Sequence, residues 1–539
     1  MVATSAWPPA CCTYATRARA NSRPASNSPW AERRRAAVGR FADLLGVALP
    51  SPPARADSCA LHTQDACGTS LGQAIAPRAA RHPGLSGIHS ITDAHDAFAA
   101  RILLTRAAQR TLDVQYYIWR GDMTGTLLLE ALHQAADRGV RVRLLLDDNG
   151  TSGLDATLAA LDAHPNIEVR LFNPFVLRHP KVLGYLTDFR RLNRRMHNKS
   201  FTADNQATIL GGRNIGDEYF GADDGVLFAD LDVLAVGPVV QEVSTDFDRY
   251  WASESAYPVD QLLPAAAPQA LHALARSAEG VEQDPRSDHY MEAIARTPLV
   301  GQLLQGRLEL EWAPARVVSD DPAKALGKAQ GAGLITHQLL ALMGEPRSHL
   351  ELISPYFVPT APGAAAFAEL ARKGVKVRVL TNALEATDVS VVHSGYAKRR
   401  RALLASGVTL YEMPRRGHGP AQPRSPGPFG SSASSLHAKT FAVDGRSTYV
   451  GSFNFDPRSA NLNTELGLVI DSPALASAIS QTFDQDIAAS TYRVGLDDQG
   501  RMYWQMPDSG ERLRREPGTT WWQRLSVRLM SWLPIEPLL

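Results

Sequence analysis

Apolar residues recur along this chain in two alternating patterns, and the order of the patterns repeats. Runs such as LDVQYYIW (112–119), VRVRLLLD (140–147) and IEVRLF (167–172) are dense in β-branched, aromatic and aliphatic residues, as buried strands are. Between them the spacing changes to that of a helix, with Leu127, Leu128, Ala131, Leu132 and Ala135 on one face. The same succession returns later: LELISPYFVP (350–359), a helical stripe of Ala364, Phe367, Ala368 and Ala371, then VKVRVLT (375–381) and GVTLYEMP (407–414). Each half therefore reads strand, helix, strand, helix, strand and then a hairpin. Strands alternating with helices predict an α/β sandwich in each half, and matching segments offset by roughly 235 to 240 residues predict one internal duplication. The expected bounds are residues 85–260 and 300–495, with an extension at 1–80 and a tail at 496–539.

The hairpins carry the chemistry. RRMHNKSFTADNQATILGGRN (194–214) and SSLHAKTFAVDGRSTYVGSFN (434–454) hold His, Lys, Asp, a Gly pair or Gly-Ser, and Asn at identical spacing. The copies are His197, Lys199, Asp204, Gly211, Gly212, Asn214 and His437, Lys439, Asp444, Gly451, Ser452, Asn454. On a strand, His and the Lys two residues on share a face. Asp204-Asn205 and Asp444-Gly445 are turn signals, so folding back brings each His, Lys and Asn to one end of a hairpin. The glycines allow close backbone approach or positive φ there. A single His on a strand has a structural reading as good as a functional one; two copies at unchanged spacing favour function. Lysines and asparagines bracketing a phosphodiester, with two histidines to share nucleophilic and acid–base work, form a self-consistent set. After each hairpin DLDV (230–233) and NTEL (463–466) enter a short strand, which pairs Asp232 with Glu465 as carboxylates able to orient a histidine of the other copy. Asp204 and Asp444 are expected to fix the turn rather than to react.

Composition narrows the reading. Of 539 residues, 44% are hydrophobic and 21% charged, as for a globular protein with a large core. The formal net charge of +1 gives no field for nonspecific nucleic-acid binding. Local basic clusters exist at Arg190, Arg191, Arg194 and Arg195, where an anion-attracting role suits the adjoining His197, and at Lys398 to Arg401, expected to be a solvated face. Cys11, Cys12, Cys59 and Cys67 all precede the repeat, so no disulfide framework holds its core, and no metal-ligand spacing is present. Residues 1–80 are rich in Ala, Pro, Ser and Arg, which predicts little packing. Arg33 to Arg35 and Ala54-Arg55-Ala56 suggest a secretory leader, but Arg40 and Asp43 interrupt the apolar run, so secretion is not expected. No apolar stretch reaches the roughly 18 residues of a membrane span. The end of the chain, with Trp521, Trp522, Leu525, Leu529 and Trp532 beside Arg524 and Arg528, suits a helix at a membrane surface or one docked on the core equally well. The irregular 174–193 and the Gly-, Pro- and Ser-rich 417–435 precede the two histidines and are expected to form a rim around them.

The pattern H-x-K-x(4)-D-x(6)-G-[GS]-x-N, met twice, resembles the phospholipase D superfamily. LDVQYYIW, RGVRVRLLLDDN, RRMHNKSFTADNQ, GGRNIGDEYF and SLHAKTFAVD are similar to the bacterial cardiolipin synthase C group within it, over roughly residues 85–539. One departure is Gly212, where that superfamily commonly has Ser. The resemblance implies two fused phospholipase D-like α/β sandwich halves sharing one active site about a pseudo-twofold axis. It implies His197 as nucleophile, His437 as general acid and base, and a covalent phosphatidyl-histidine, with no metal and no cofactor. It implies phospholipid substrates: phosphatidylglycerol as acceptor, and phosphatidylglycerol or phosphatidylethanolamine as donor. It places the protein peripherally on the cytoplasmic face of a bacterial inner membrane. A hydrolytic phospholipase D, or less favourably a nucleic-acid phosphodiesterase, would use the same residues.

Overall fold

The computed structural model describes Leu49 and residues 58–539, except 179, 222–229, 268, 388, 416–435, 508, 534–535 and 537–538. The leader residues Arg33 to Arg35, Arg40, Asp43 and Ala54 to Ala56, and the segment 417–435, thus lie outside the described residues. Two sheets carry the duplication. The first has β1 (Ser86–Ile91), β2 (Thr111–Ile118), β3 (Arg141–Gly150), β4 (Ile167–Phe172), β5 (Ser200–Ala203), β6 (Ala207–Gly211), β7 (Asp232–Val236), β8 (Ala256–Pro258) and β9 (Glu311–Ala313), in the order 8-4-3-2-5-6-7-1-9. The second has β10 (Ala315–Ser319), β11 (His349–Ile353), β12 (Lys376–Asn382), β13 (Thr409–Met413), β14 (Thr440–Val443), β15 (Ser447–Gly451), β16 (Leu466–Asp471), β17 (Tyr492–Leu496), β18 (Met502–Gln505) and β19 (Arg512–Leu513), in the order 10-16-15-14-11-12-13-17-18-19.

Through their central strands the two orders coincide. β2, β3 and β4 are parallel to one another, as are β11, β12 and β13, and each motif hairpin adds antiparallel strands beside β2 or β11. A further helix that the sequence reading did not include precedes the first central strand of each half, α1 (Ala94–Ala107) before β2 and α3 (Ile335–Met343) before β11, while α2 (Met123–Asp137) after β2 and α4 (Thr360–Arg372) after β11 stand where the helical stripes predict. β6 and β7 meet β14, β15 and β16 through a shared apolar layer that includes Leu210, Val233, Ala442, Val450 and Leu468.

The bounds differ from the sequence reading at three places. Residues 63–66 and 70–79 are helical, and Leu71 and Ile75 join the first core, so the expected unpacked extension does not reach 80. Three helices between the halves, Ala270–Glu282, Asp288–Arg296 and Leu299–Leu304, pack on the first half and add Tyr290, Ile294 and Leu303 to its core. The second sheet runs on through β18 and β19, past the expected end at 495. The final helix, α5 (Trp521–Met530), opens on a capping box from Thr520 and Gln523. It buries Val527 and leaves Trp521, Trp522 and Leu529 exposed, so it is both docked and apolar outward. Arg400, from the cluster read as solvated, is buried against Glu412 and Glu516.

Candidate active site

Each motif forms the hairpin its turn residues predict. Asp204 and Asn205, and Asp444 and Gly445, take positive φ, the geometry of a tight two-residue hairpin turn. β5 pairs with β6 from Ser200 opposite Leu210, and β14 with β15 from Thr440 opposite Val450. This register carries His197, Lys199 and Asn214 to one end of the first hairpin, and His437, Lys439 and Asn454 to the same end of the second. Asp204 and Asp444 lie at the opposite end. Asp204 accepts the backbone N–H groups of Gln109, Arg110 and Thr111, and Asp444 those of Arg347, Ser348 and His349. Each clamps the entry to β2 or β11 and stands apart from the histidines.

The two hairpin ends face each other. The backbone N–H of His197 donates to Thr464 O at 2.8 Å, and that of Thr464 donates to Arg195 O at 2.9 Å. Across this seam each histidine meets a carboxylate from the other half: His197 Nδ1 lies 2.8 Å from Glu465 Oε2, and His437 Nδ1 lies 2.6 Å from Asp230 Oδ2. With Nδ1 engaged, each ring keeps Nε2 for the space between the motifs. Tyr117 packs edge-on against His197 at 5.0 Å and Tyr219 against His437 at 5.2 Å. Lys199 Nζ donates to His197 O, and Lys439 Nζ to His437 O. Asn214 Oδ1 accepts from Ile118 N, while Asn454 Oδ1 is buried without a partner.

Asp230, rather than Asp232, is thus the partner of His437. Asp232 is buried against Arg101 and Arg213 and pairs with them instead of the histidine. The reason is register. Gly211 stands opposite Asp232 in the first sheet and Gly451 opposite Gly467 in the second, so the residue matching Glu465 lies two before Asp232. The departure at Gly212 follows from the same placement. A Cβ at Gly212 would fall 2.0 Å from Asp230 Oδ1. The shorter Asp230 side chain occupies the room that Ser452 fills in the other half, where the Ser452 hydroxyl donates to Glu465 Oε2. Gly211 and Gly451 serve the close approach: a Cβ on either would meet the neighbouring strand within 2.5 Å.

The electrostatics of the two histidines differ. Burial, with Lys199 and Lys439 beside it, holds His197 well below the ordinary imidazole range. Burial and Lys439 also lower His437, but Asp230 opposes them and it settles at about 4. Burial pushes Glu465 up to about 7 against the pull of Lys199 and the Ser452 hydroxyl, and its Oε1 has no partner. Burial alone would raise Asp230 as well, but His437 and Lys439 bring it down to about 2. Lys199 is held well below its usual value, first by burial and then by Lys439, with Glu465 opposing.

Several supports were not singled out from the sequence. Asp147, near the end of β3, accepts from Met196 N at 2.7 Å, and Asn382, at the end of β12, accepts from Leu436 N at 3.2 Å and donates to Leu436 O. Both fix the residue just before a motif histidine, and both sit late in matching strands of the repeat, which was the available signal. Asp320 accepts from Glu465 N and from Lys324 Nζ, setting the backbone that carries the carboxylate. The first basic cluster is largely committed to the protein itself rather than to anions. Arg195 is buried on Asp147, Arg191 bonds Asp188 and Asn173, and Arg194 donates across the seam to Lys324 O and Asn461 O. The preceding segment is partly regular, with a short helix at Gly184–Leu192.

Comparison with known proteins agrees with this geometry. A family described as cardiolipin synthase, PLD-like domain, matches residues 102–251 and again 339–487, one match for each half. Cardiolipin synthase C of Escherichia coli strain K12 is 49% identical over 471 residues, 87% of this chain and 99% of that protein. The major cardiolipin synthase of Bacillus subtilis strain 168 is 25% identical over 75% of this chain and 70% of its own. Among solved structures, phosphatidylserine synthase of Haemophilus influenzae Rd KW20 superimposes with a TM-score of 0.53 at 13% identity, over 87% of this chain and 100% of that one, which is a likeness of fold. Matched twice by the family and along most of its length by one relative, this chain belongs to the cardiolipin synthases of the phospholipase D superfamily.

Proposed function

We propose that the protein is a phosphatidyltransferase that makes cardiolipin from phosphatidylglycerol and a second phospholipid through a covalent phosphatidyl-histidine. One observation carries the reading: two imidazoles, one buried and one half-buried, each clamped at Nδ1 by a carboxylate of the opposite half, in a chain 49% identical to a cardiolipin synthase C.

The unequal carboxylates divide the labour. His197, held well below the ordinary imidazole range, stays neutral and attacks phosphorus through Nε2. His437, paired with an ionised Asp230, is the ring better able to hold a proton. In the free protein both rings are neutral at neutral pH, and the negative charge of the arriving phosphodiester favours the proton on His437. As the His197–phosphorus bond forms, the bond to the departing glycerol or ethanolamine oxygen breaks, and that oxygen takes the proton. His437 then accepts the proton of the phosphatidylglycerol hydroxyl, which attacks phosphorus and releases His197. Lys199, Lys439, Asn214 and Asn454 stabilise the charge on the nonbridging oxygens. One phosphodiester replaces another, so the exchange needs no nucleotide to drive it.

The substrates lie in a bilayer, and two exposed apolar sets suit contact with it. Val182, Leu183, Leu186 and Phe189, beside exposed Arg190, precede His197 in the chain, and Trp521, Trp522, Leu525 and Leu529 line the outer side of α5. No helix among the described residues is long and apolar enough to cross a membrane. The contact proposed is peripheral, at the cytoplasmic face of the inner membrane. The purified full chain given phosphatidylglycerol vesicles, with and without phosphatidylethanolamine, is expected to yield cardiolipin and free glycerol or ethanolamine. Phosphatidic acid without cardiolipin would make it a hydrolase, and cleavage of labelled DNA in a parallel assay would make it a nuclease.

A further inference from the structure

The duplicated halves differ on the outer face of the motif sheet. In the first half α1 and α2 pack together, and the linker helix Asp288–Arg296 packs on α1. Phe98, Phe220 and Tyr290 fill the space between, with Phe98 at 5.4 Å from each of the other two rings. In the second half, among the described residues, α3 and α4 pack far less on each other, and no linker helix packs closely on either. Between them, over β11 and β14, runs a cavity of about 460 Å³ whose walls are almost wholly apolar. That volume lies in the range of small-molecule sites. Where Phe220 stands six residues beyond Asn214, Ala460 stands six beyond Asn454 and lines the cavity. Arg213, in the buried ion pair with Asp232, corresponds to Phe453, which also lines it. Thus the second half has exchanged an aromatic plug and a charge pair for open apolar space.

We propose that this groove binds an acyl chain of a phospholipid substrate; the inference rests on the phosphatidyltransferase reading above. Adjacency in the chain to a site residue argues for this occupant. Phe453 and Phe455 both line the groove and flank Asn454 in the chain, so the stretch that carries the motif asparagine also walls the groove. The groove therefore starts at the chain neighbours of Asn454, the residue that the proposed mechanism sets on the phosphodiester. The other edge of the groove reaches the surface at Leu340, which is 65% exposed although it belongs to the helix that walls the cavity. A chain entering there leaves water along its length.

Two measurements test this with the full-length protein. Vesicles of phosphatidylglycerol containing phosphatidylglycerol with a diazirine on its acyl chain are photolysed, and labelled peptides are mapped by mass spectrometry. Label is expected on α3 and α4, at Leu340, Met343 and Phe367; label confined to α5 and 182–189 would overturn the groove, whether or not cardiolipin forms. In the second, Gly363→Leu and, separately, Thr336→Phe fill the cavity from opposite walls. Each is expected to lower kcat/KM for long-chain phosphatidylglycerol about tenfold or more while leaving dihexanoyl phosphatidylglycerol within about twofold of the unaltered protein. Equal effects on both lipids, or none, would overturn the proposal. Failure of the unaltered protein to make cardiolipin from any lipid would instead sink the phosphatidyltransferase reading, and the photolabelling would still decide the groove.

Discussion

The halves share their central strands and the complete motif, yet their histidines live in unlike surroundings. Glu465 reaches His197 on a longer side chain, takes the Ser452 hydroxyl, and leaves one oxygen buried without a partner. Asp230 reaches His437 on a shorter one, over a glycine, and is bound tightly enough to be pulled down to about 2. Identical residues at identical spacing therefore do not make identical groups. What distinguishes the two imidazoles is the carboxylate each receives from the other half, and how fully that carboxylate is satisfied.

The strongest way to break this comparison is to remove each ring in turn. His197→Ala is expected to lose cardiolipin formation by at least about a thousandfold, and to lose nitrophenol release from a p-nitrophenyl phosphatidyl ester equally. His437→Ala is expected to lose transfer to a similar degree but to keep a stoichiometric burst of nitrophenol, because that leaving group needs no proton. Rapid-quench measurement of the burst in both variants checks the assignment; a burst from His197→Ala and none from His437→Ala would reverse it.

A smaller effect separates the carboxylates by stability. Glu465 has its folded value raised to about 7, so ionising it opposes folding, and the penalty grows as pH rises from the ordinary Glu range through 7. Glu465→Gln is therefore expected to melt higher than the unaltered protein at pH 8, by an amount on the order of 2 kcal/mol, with the gap closing toward pH 5. Asp230, lowered to about 2, contributes stability that is present above the ordinary Asp range and lost as pH falls through 2. Asp230→Asn is expected to melt lower at both pH values. Parallel thermal melts test the opposite signs, and two shifts of one sign would remove the asymmetry.

The smallest effect compares the turn aspartates. Asp204→Asn is expected to lower stability by about 1–2 kcal/mol, because its acceptors serve buried backbone N–H groups. Asp444→Asn, whose partners are exposed, is expected to cost about half as much. Neither should change kcat, measured on cardiolipin formation, by more than about twofold.

The motif hairpins, the alternating strands and helices and the duplication were all legible because each rests on local periodicity or on repeated spacing. His197, Lys199, Asn214 and their counterparts could be placed together from turn residues alone. The carboxylate of the first half could not. DLDV offers two aspartates, and only pairing across β6 and β7 selects Asp230 over Asp232. Arg195 misled for a related reason: beside His197 in sequence, it turns inward to Asp147, and an arginine in the primary structure looks the same solvated or buried. The helices at 270–304 carry no trace of the repeat, so nothing foretold that they pack on one half and leave the other open.

Because each histidine takes its carboxylate from the opposite half, separate copies of one half would have to assemble symmetrically, and every substitution would appear at both places at once. Covalent fusion ends that obligation. Gly212 can pair with an aspartate while Ser452 supports a glutamate, and an aromatic plug can be lost beside one motif and kept beside its twin. The seam between the halves is thus where a single gene gained the freedom to give two descended copies separate careers.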